Sequence, residues 1–182
     1  MRADRDWRRA MRLLALIGAL ALAVALAAAG FFFGGFFDIS TAWEDPAPVT
    51  KAIARVRDAS IARRATDKPP ADYASPQRVQ AGARMFAALG CVNCHGAPGV
   101  KWQKFSEGMN PAPPDLKEEA AGLSPSQVFW VAKHGIRMTG MPAFGEAASD
   151  DELWSVAAFV KKLPDVSDAD FKAWAAAEAP KQ

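Results

Sequence analysis

Twenty-five consecutive residues, Leu13 to Phe37, carry no charge: "LLALIGALALAVALAAAGFFFGGFF". No other feature constrains the fold of this chain as strongly. A helix needs about 20 apolar residues, at about 1.5 Å rise each, to cross the hydrocarbon core of a bilayer. The preceding "MRADRDWRRAMR" holds five arginines and two aspartates. Arginine-rich flanks stay on the cytoplasmic side. The pattern predicts a cytoplasmic segment at 1–12, a transmembrane anchor at 13–37, and export of everything that follows. The rival reading is a signal peptide cleaved near "AAAG" at 27–30, whose small residues suit a cleavage site. The apolar run continues through "FFFGGFF", which is long for a signal sequence. Both readings export the rest of the chain.

Residues 38–75 predict a connector. In "PVTKAIARVRDASIARRA", Val49, Ile53, Val56 and, less neatly, Ile61 fall near helical spacing among Lys51, Arg55, Arg57, Arg63 and Arg64. A short basic amphipathic helix follows from that spacing. It lies on lipid headgroups, docks on a partner subunit or is a solvated spacer, and the pattern leaves all three open. "TDKPPADYASP" then reads as an extended, proline-rich linker.

From residue 76 to residue 182 the composition is that of a compact domain. "SPQRVQAGARMFAALG" predicts a helix with Val79, Met85, Phe86 and Leu89 as its apolar contacts and Gly90 as its stop. "LSPSQVFWVAKHG" has Ser124 as N-cap, Pro125 at the first helical position, Gln127 closing a capping box and Gly135 at the end. "SDDELWSVAAFVKKLP" repeats this grammar with Ser149, Glu152 and Pro164. No segment alternates with period two for long enough to make a sheet, so the expected class is all-α. Against 22 basic side chains stand 20 acidic ones, and no block of lysine or arginine accompanies the +2 balance. Nucleic-acid binding is therefore not expected.

The chain has two cysteines and two histidines, and "CVNCH" at 91–95 uses both thiols and one imidazole. C-x-x-C serves as a redox dithiol, half of a zinc site or, with the following histidine, a covalent haem attachment. The dithiol needs a thioredoxin-like βαβ pattern, which is missing. A structural zinc needs four N or S ligands, and only His134 remains. Haem attachment uses Cys91 and Cys94 as thioethers and His95 as proximal iron ligand, with no remainder. A sixth ligand must come from Met109, Met138, Met141 or His134. "MTGMPAFG" sets Met141 before Pro142 in a rigid loop with glycine on either side, so Met141 is the expected distal ligand and Met138 its main rival.

On these residues the segment 78–163 resembles a class I mono-haem c-type cytochrome of the membrane-anchored, periplasmic bacterial kind. Gly82 and Phe86 in a first helix, CVNCH, Pro-x-Leu, Met-Pro and a last helix with aromatics occur in that family's order. The resemblance implies a cytochrome c fold around one covalently bound haem c, preceded by one transmembrane helix. It implies that Gly82 lets the first helix cross the last closely, with Phe86 against Trp154 or Phe159. It implies that the carbonyl of Pro114 accepts the proximal imidazole N–H, with Pro111 and Pro113 as rivals, and that Leu116 walls the haem.

The implied function is one-electron transfer rather than enzymatic turnover. The expected partners are redox proteins: a dehydrogenase or quinol-oxidising complex on one side, a terminal oxidase or reductase on the other, with no small-molecule substrate. The expected location is the bacterial inner membrane, single-pass, with the cytochrome domain in the periplasm. The alternative is a peroxidase-like haem enzyme with a displaceable sixth ligand. Lys101, Lys104, Lys133 and Arg137 flank the two ligand segments; they steer an acidic partner or are simply solvated. Trp102, Trp130 and Trp154 reach a haem propionate or, as is commoner at helical spacing, pack in the core.

Overall fold

The computed structural model describes residues 2–176, with side chains from Asp6 onward. The end of the expected domain, 177–182, lies outside the described residues. Among the described residues the chain is all-helical, with no named strand. It divides into two units, Met1–Trp43 and Glu44–Gln182.

The first unit is dominated by α1 (Arg2–Phe33). Its stretch from Asp6 to Phe33 is 28 residues long with a mean hydropathy of 2.5, enough by length and composition to cross a membrane. The helix stops four residues before the apolar run does. Gly35 sits at φ +78°, and the chain turns there so that Phe37 packs on Phe31 and Phe32, with ring centroids 6.4 and 5.3 Å away.

The second unit contains α2 (Ala47–Arg64), α3 (Pro76–Ala88), α4 (Cys91–His95), α5 (Leu116–Glu119), α6 (Pro125–His134), α7 (Asp150–Lys162) and α8 (Asp168–Ala176). Both expected capping boxes form. Ser124 and Gln127 satisfy each other's backbone N–H groups at the start of α6, and Ser149 and Glu152 do so at the start of α7. Ser75 caps α3 by accepting from the Arg78 N–H. Helix α7 also carries Asp150, Asp151 and Glu152 in its first turn and Lys161 and Lys162 in its last, complementing the helix dipole.

The crossing of α3 on α7 forms the centre of the core, with α6 against α7 and α8 against α3. A Cβ on Gly82 would lie 1.9 Å from the Ser155 carbonyl oxygen, so only glycine permits this approach. The apolar face of α7 from Leu153 to Val160 is buried throughout. Phe86 packs on Phe159 at 5.3 Å, not on Trp154; Phe159 in turn stacks on Phe171 at 5.7 Å. Trp154 stacks on Phe129 at 4.1 Å and meets Tyr73 edge-on. Each buried aromatic contributes about 1.5–3 kcal/mol through burial, and each ring pair about 0.5–1.5 more.

The connector is fastened to this core. Ile61 of α2 is buried and α2 packs against α6. Ser126 Oγ donates to the Asp67 carbonyl at 2.6 Å, and Tyr73 donates its hydroxyl to the Ala157 carbonyl at 3.1 Å. Arg78, with its side chain only 10% exposed, bridges Asp72 and Asp151, both at 2.9 Å. Residues 65–75 are non-helical, but they form a strap along the domain rather than a free tether.

Candidate haem site

The CVNCH turn is set by its flanks. Gly90 at φ +76° ends the chain's run from α3 and starts α4, and Gly96 at φ +64° ends α4. The three-residue spacing of Cys91 and Cys94 puts both thiols on one side of a single helical turn, with His95 next to them. The turn is held from outside. Gln103 N–H donates to the Asn93 carbonyl at 2.8 Å, and Ala97 and Val100 exchange backbone hydrogen bonds of 2.9 Å directly after it. Both cysteines are half-buried and not joined to each other. Burial pushes the Cys91 thiol up to about 12.

His95 Nδ1 lies 2.9 Å from the Pro114 carbonyl oxygen. A carbonyl only accepts, so Nδ1 carries the proton and donates. The Nε2 lone pair is left for a ligand. Burial holds the imidazole below its usual range, with the Pro114 hydrogen bond opposing that shift. Asp115 caps the short helix α5 immediately after Pro114, and Leu116, the first residue of α5, lines one hollow together with His95. The structure thus brings together His95, Pro114 and Leu116, which lie apart in sequence.

The Met-Pro loop folds back on the end of α6. Gly135 at φ +65° turns the chain so tightly that its Cβ position lies 2.8 Å from the Met141 carbonyl oxygen. Ile136 N–H donates to that carbonyl, and Met141 N–H donates to Thr139 Oγ1 at 3.1 Å. Gly145 N–H returns to the Lys133 carbonyl at 3.0 Å. The backbone of Met141 is therefore bound on both sides and its side chain is half-buried. Met138 takes φ +60° and is 92% exposed.

Residues 77–160 match the family described as cytochrome c oxidase, cbb3-type, subunit III. The match is to a class I-like mono-haem c-type cytochrome domain. The solved structure of the reducing HAO-like protein complex of Kuenenia stuttgartiensis contains a chain 27% identical to this one, with a TM-score of 0.45. The likeness covers 53% of this chain and 47% of that one, so this chain spans about half the length of its counterpart.

A c-type cytochrome domain implies a haem c cofactor. The cytochrome domain also sorts the remaining expected residues. Lys133 is held by Asp150 at 2.7 Å and lies 5.5 Å over the Phe129 ring, so it is committed within the domain. Trp154 is core, whereas Trp102 is exposed and donates to Glu107 at 3.4 Å. Trp130 lies beside His134, ring centroids 5.0 Å apart, and His134 is exposed at the end of α6. One arrangement had no counterpart in the sequence reading. The Met109 sulfur occupies the space beside Gly140, 2.7 Å from where a Cβ would stand, and so packs on the Met-Pro loop. The only signal for it is the missing side chain at 140, which does not name its neighbour.

Proposed function

We propose that this chain is a membrane-tethered, periplasmic one-electron carrier. It would pass electrons from a dehydrogenase or quinol-oxidising complex to a terminal oxidase or reductase. The hydrogen bond from His95 Nδ1 to the Pro114 carbonyl carries this reading, because it fixes the tautomer and aims Nε2 outward as a metal donor. The donor set fits a haem. Among the described residues no three His, Cys, Asp or Glu side chains converge on one point, as a protein-only metal cage requires. Two thiols and one imidazole spread along a turn instead match the periphery and centre of a porphyrin.

In this reading Cys91 and Cys94 hold one haem c as thioethers and His95 is the proximal ligand. Met141 is preferred to Met138 as distal ligand, since its backbone is bound and its side chain half-buried while Met138 points into solvent. Haem c with histidine and methionine ligands supplies one-electron Fe(III)/Fe(II) exchange. Pro114 orients the imidazole, and Leu116 excludes water beside it. The anchor is α1, whose length and composition suit a single crossing.

Met141→Ala should remove the methionine–iron absorption band from oxidised protein while leaving haem covalently attached, and Met138→Ala should leave the band in place. The reverse pattern would transfer the role to Met138. Rapid binding of cyanide or carbon monoxide by the unaltered protein would replace the carrier reading with a haem enzyme. The intact mass of the mature chain checks whether α1 is retained.

A further inference from the structure

Helix α2 carries an apolar stripe that the domain leaves uncovered. The face bearing Ala54 and Ile61 packs toward α6, and Ile61 is only 5% exposed. Roughly 120° away around the helix, Val49, Ile53 and Val56 align at i, i+4 and i+7. They are 44%, 60% and 71% exposed. Arg57 and Arg64 border one edge of this stripe and Arg63 the other. Over the whole helix Lys51, Arg55, Arg57, Arg63 and Arg64 stand against a single acid, Asp58, which Arg57 holds at 2.8 Å. Nine residues, 38–46, separate Phe37 from Ala47, and fully extended that stretch reaches no more than about 36 Å. On its other side α2 is not a loose tether, because Ile61 and the strap from Asp67 to Tyr73 tie it to the domain.

We propose that α2 lies in the headgroup layer of an anionic bilayer. Val49, Ile53 and Val56 enter the acyl boundary and the flanking arginines pair with lipid phosphates. This rests on the reading of α1 as an anchor. Guanidinium groups match phosphate with paired hydrogen bonds, and a basic helix with an apolar stripe gains from both terms at such a surface. Three aliphatic side chains fall well short of the area of about 800 Å² per partner that a specific protein interface buries. The consequence is functional. Because α2 is packed on α6, seating α2 on lipid sets the orientation of the cytochrome domain above the membrane.

The test uses the full, haem-loaded and reduced chain in nanodiscs of phosphatidylcholine containing phosphatidylglycerol. Spin labels are placed singly through Ile53→Cys, Ala62→Cys and Leu20→Cys. The unaltered chain, whose own cysteines are taken up by haem, serves as the blank. Collision with oxygen and with a water-soluble nickel chelate reads immersion. The label at 53 should report lipid and the label at 62 water. Removing Arg57 or Arg63 as R57Q or R63Q should weaken immersion about fivefold for each charge, and pure phosphatidylcholine should weaken it more. If 53 and 62 report the same water exposure while Leu20 reports lipid, the proposal is wrong and the anchor stands. If Leu20 also reports water, the anchor reading has failed and the proposal with it. Shielding of residue 53 that appears in native membranes but never in lipid nanodiscs would identify a protein as the covering surface and overturn the proposal.

Discussion

Gly82→Ala tests the packing of α3 on α7, the helix crossing that leads into the candidate site. The added Cβ would stand 1.9 Å from the Ser155 oxygen, 2.5 Å from the Ser155 carbonyl carbon and 2.8 Å from the Phe159 Cβ. A carbon–oxygen contact settles at about 3.3 Å, so α3 and α7 must separate by roughly 1.4 Å. The obstacle is backbone, and no rotamer change relieves it. Overpacking of a core costs about 1–3 kcal/mol, and a backbone clash belongs at the top of that range. Replacing glycine inside a helix returns up to about 1 kcal/mol. The net loss is about 2 kcal/mol. For a domain of about 100 residues that lowers Tm by roughly 8–16 °C. The assay is thermal unfolding of the haem-loaded full chain in detergent. Gly108→Ala is the control, since nothing lies within 4 Å of its Cβ position. A Gly82→Ala protein that melts with the parent would refute the claim that this close crossing is required.

Tyr73→Phe should cost about 0.5–1.5 kcal/mol in denaturant unfolding, because it leaves the Trp154 contact intact and removes only the hydrogen bond to Ala157. The same hydroxyl, pushed up to about 12 by burial, should show no phenolate absorption in the folded protein at pH 10. The Glu152 carboxyl is held below its usual range, first by the Ser149 backbone N–H and then by the Ser149 hydroxyl. A depressed folded-state pKa adds stability above the unfolded value and loses it as pH falls through the folded value. The stability advantage of the parent over Glu152→Gln should therefore be constant near neutrality and shrink below about pH 4.5, as followed by unfolding at a series of acidic pH values.

The parts of the fold that were legible in the sequence are those written in local spacing. A capping box needs only a serine and, three residues on, a glutamine or glutamate, so Ser124–Gln127 and Ser149–Glu152 could be read directly. The helix of the apolar run was equally plain, although its end at Phe33 depended on how Gly34 and Gly35 turned. The motif CVNCH likewise announces its own turn. Contacts across long separations were not written this way. Lys133 appeared as a candidate for docking, and its partner Asp150 lies 17 residues away with nothing between to announce it. The connector read as a linker because prolines and charges fill it, yet Ser126, Ala157 and Arg78 bind it from other elements.

By itself, the sequence determined the all-helical class, the helix starts, the long apolar helix and the clustering of both cysteines beside His95. These rest on hydrogen bonds and side-chain periods that close within three or four residues. Only the tertiary structure decided that Pro114, rather than Pro111 or Pro113, meets His95, that Phe86 meets Phe159, and that Met109 fills the space above Gly140. Those choices depend on the angle and distance at which α3 crosses α7 and on how the loops return. Many side chains fix that crossing at once, and no short stretch of sequence contains it.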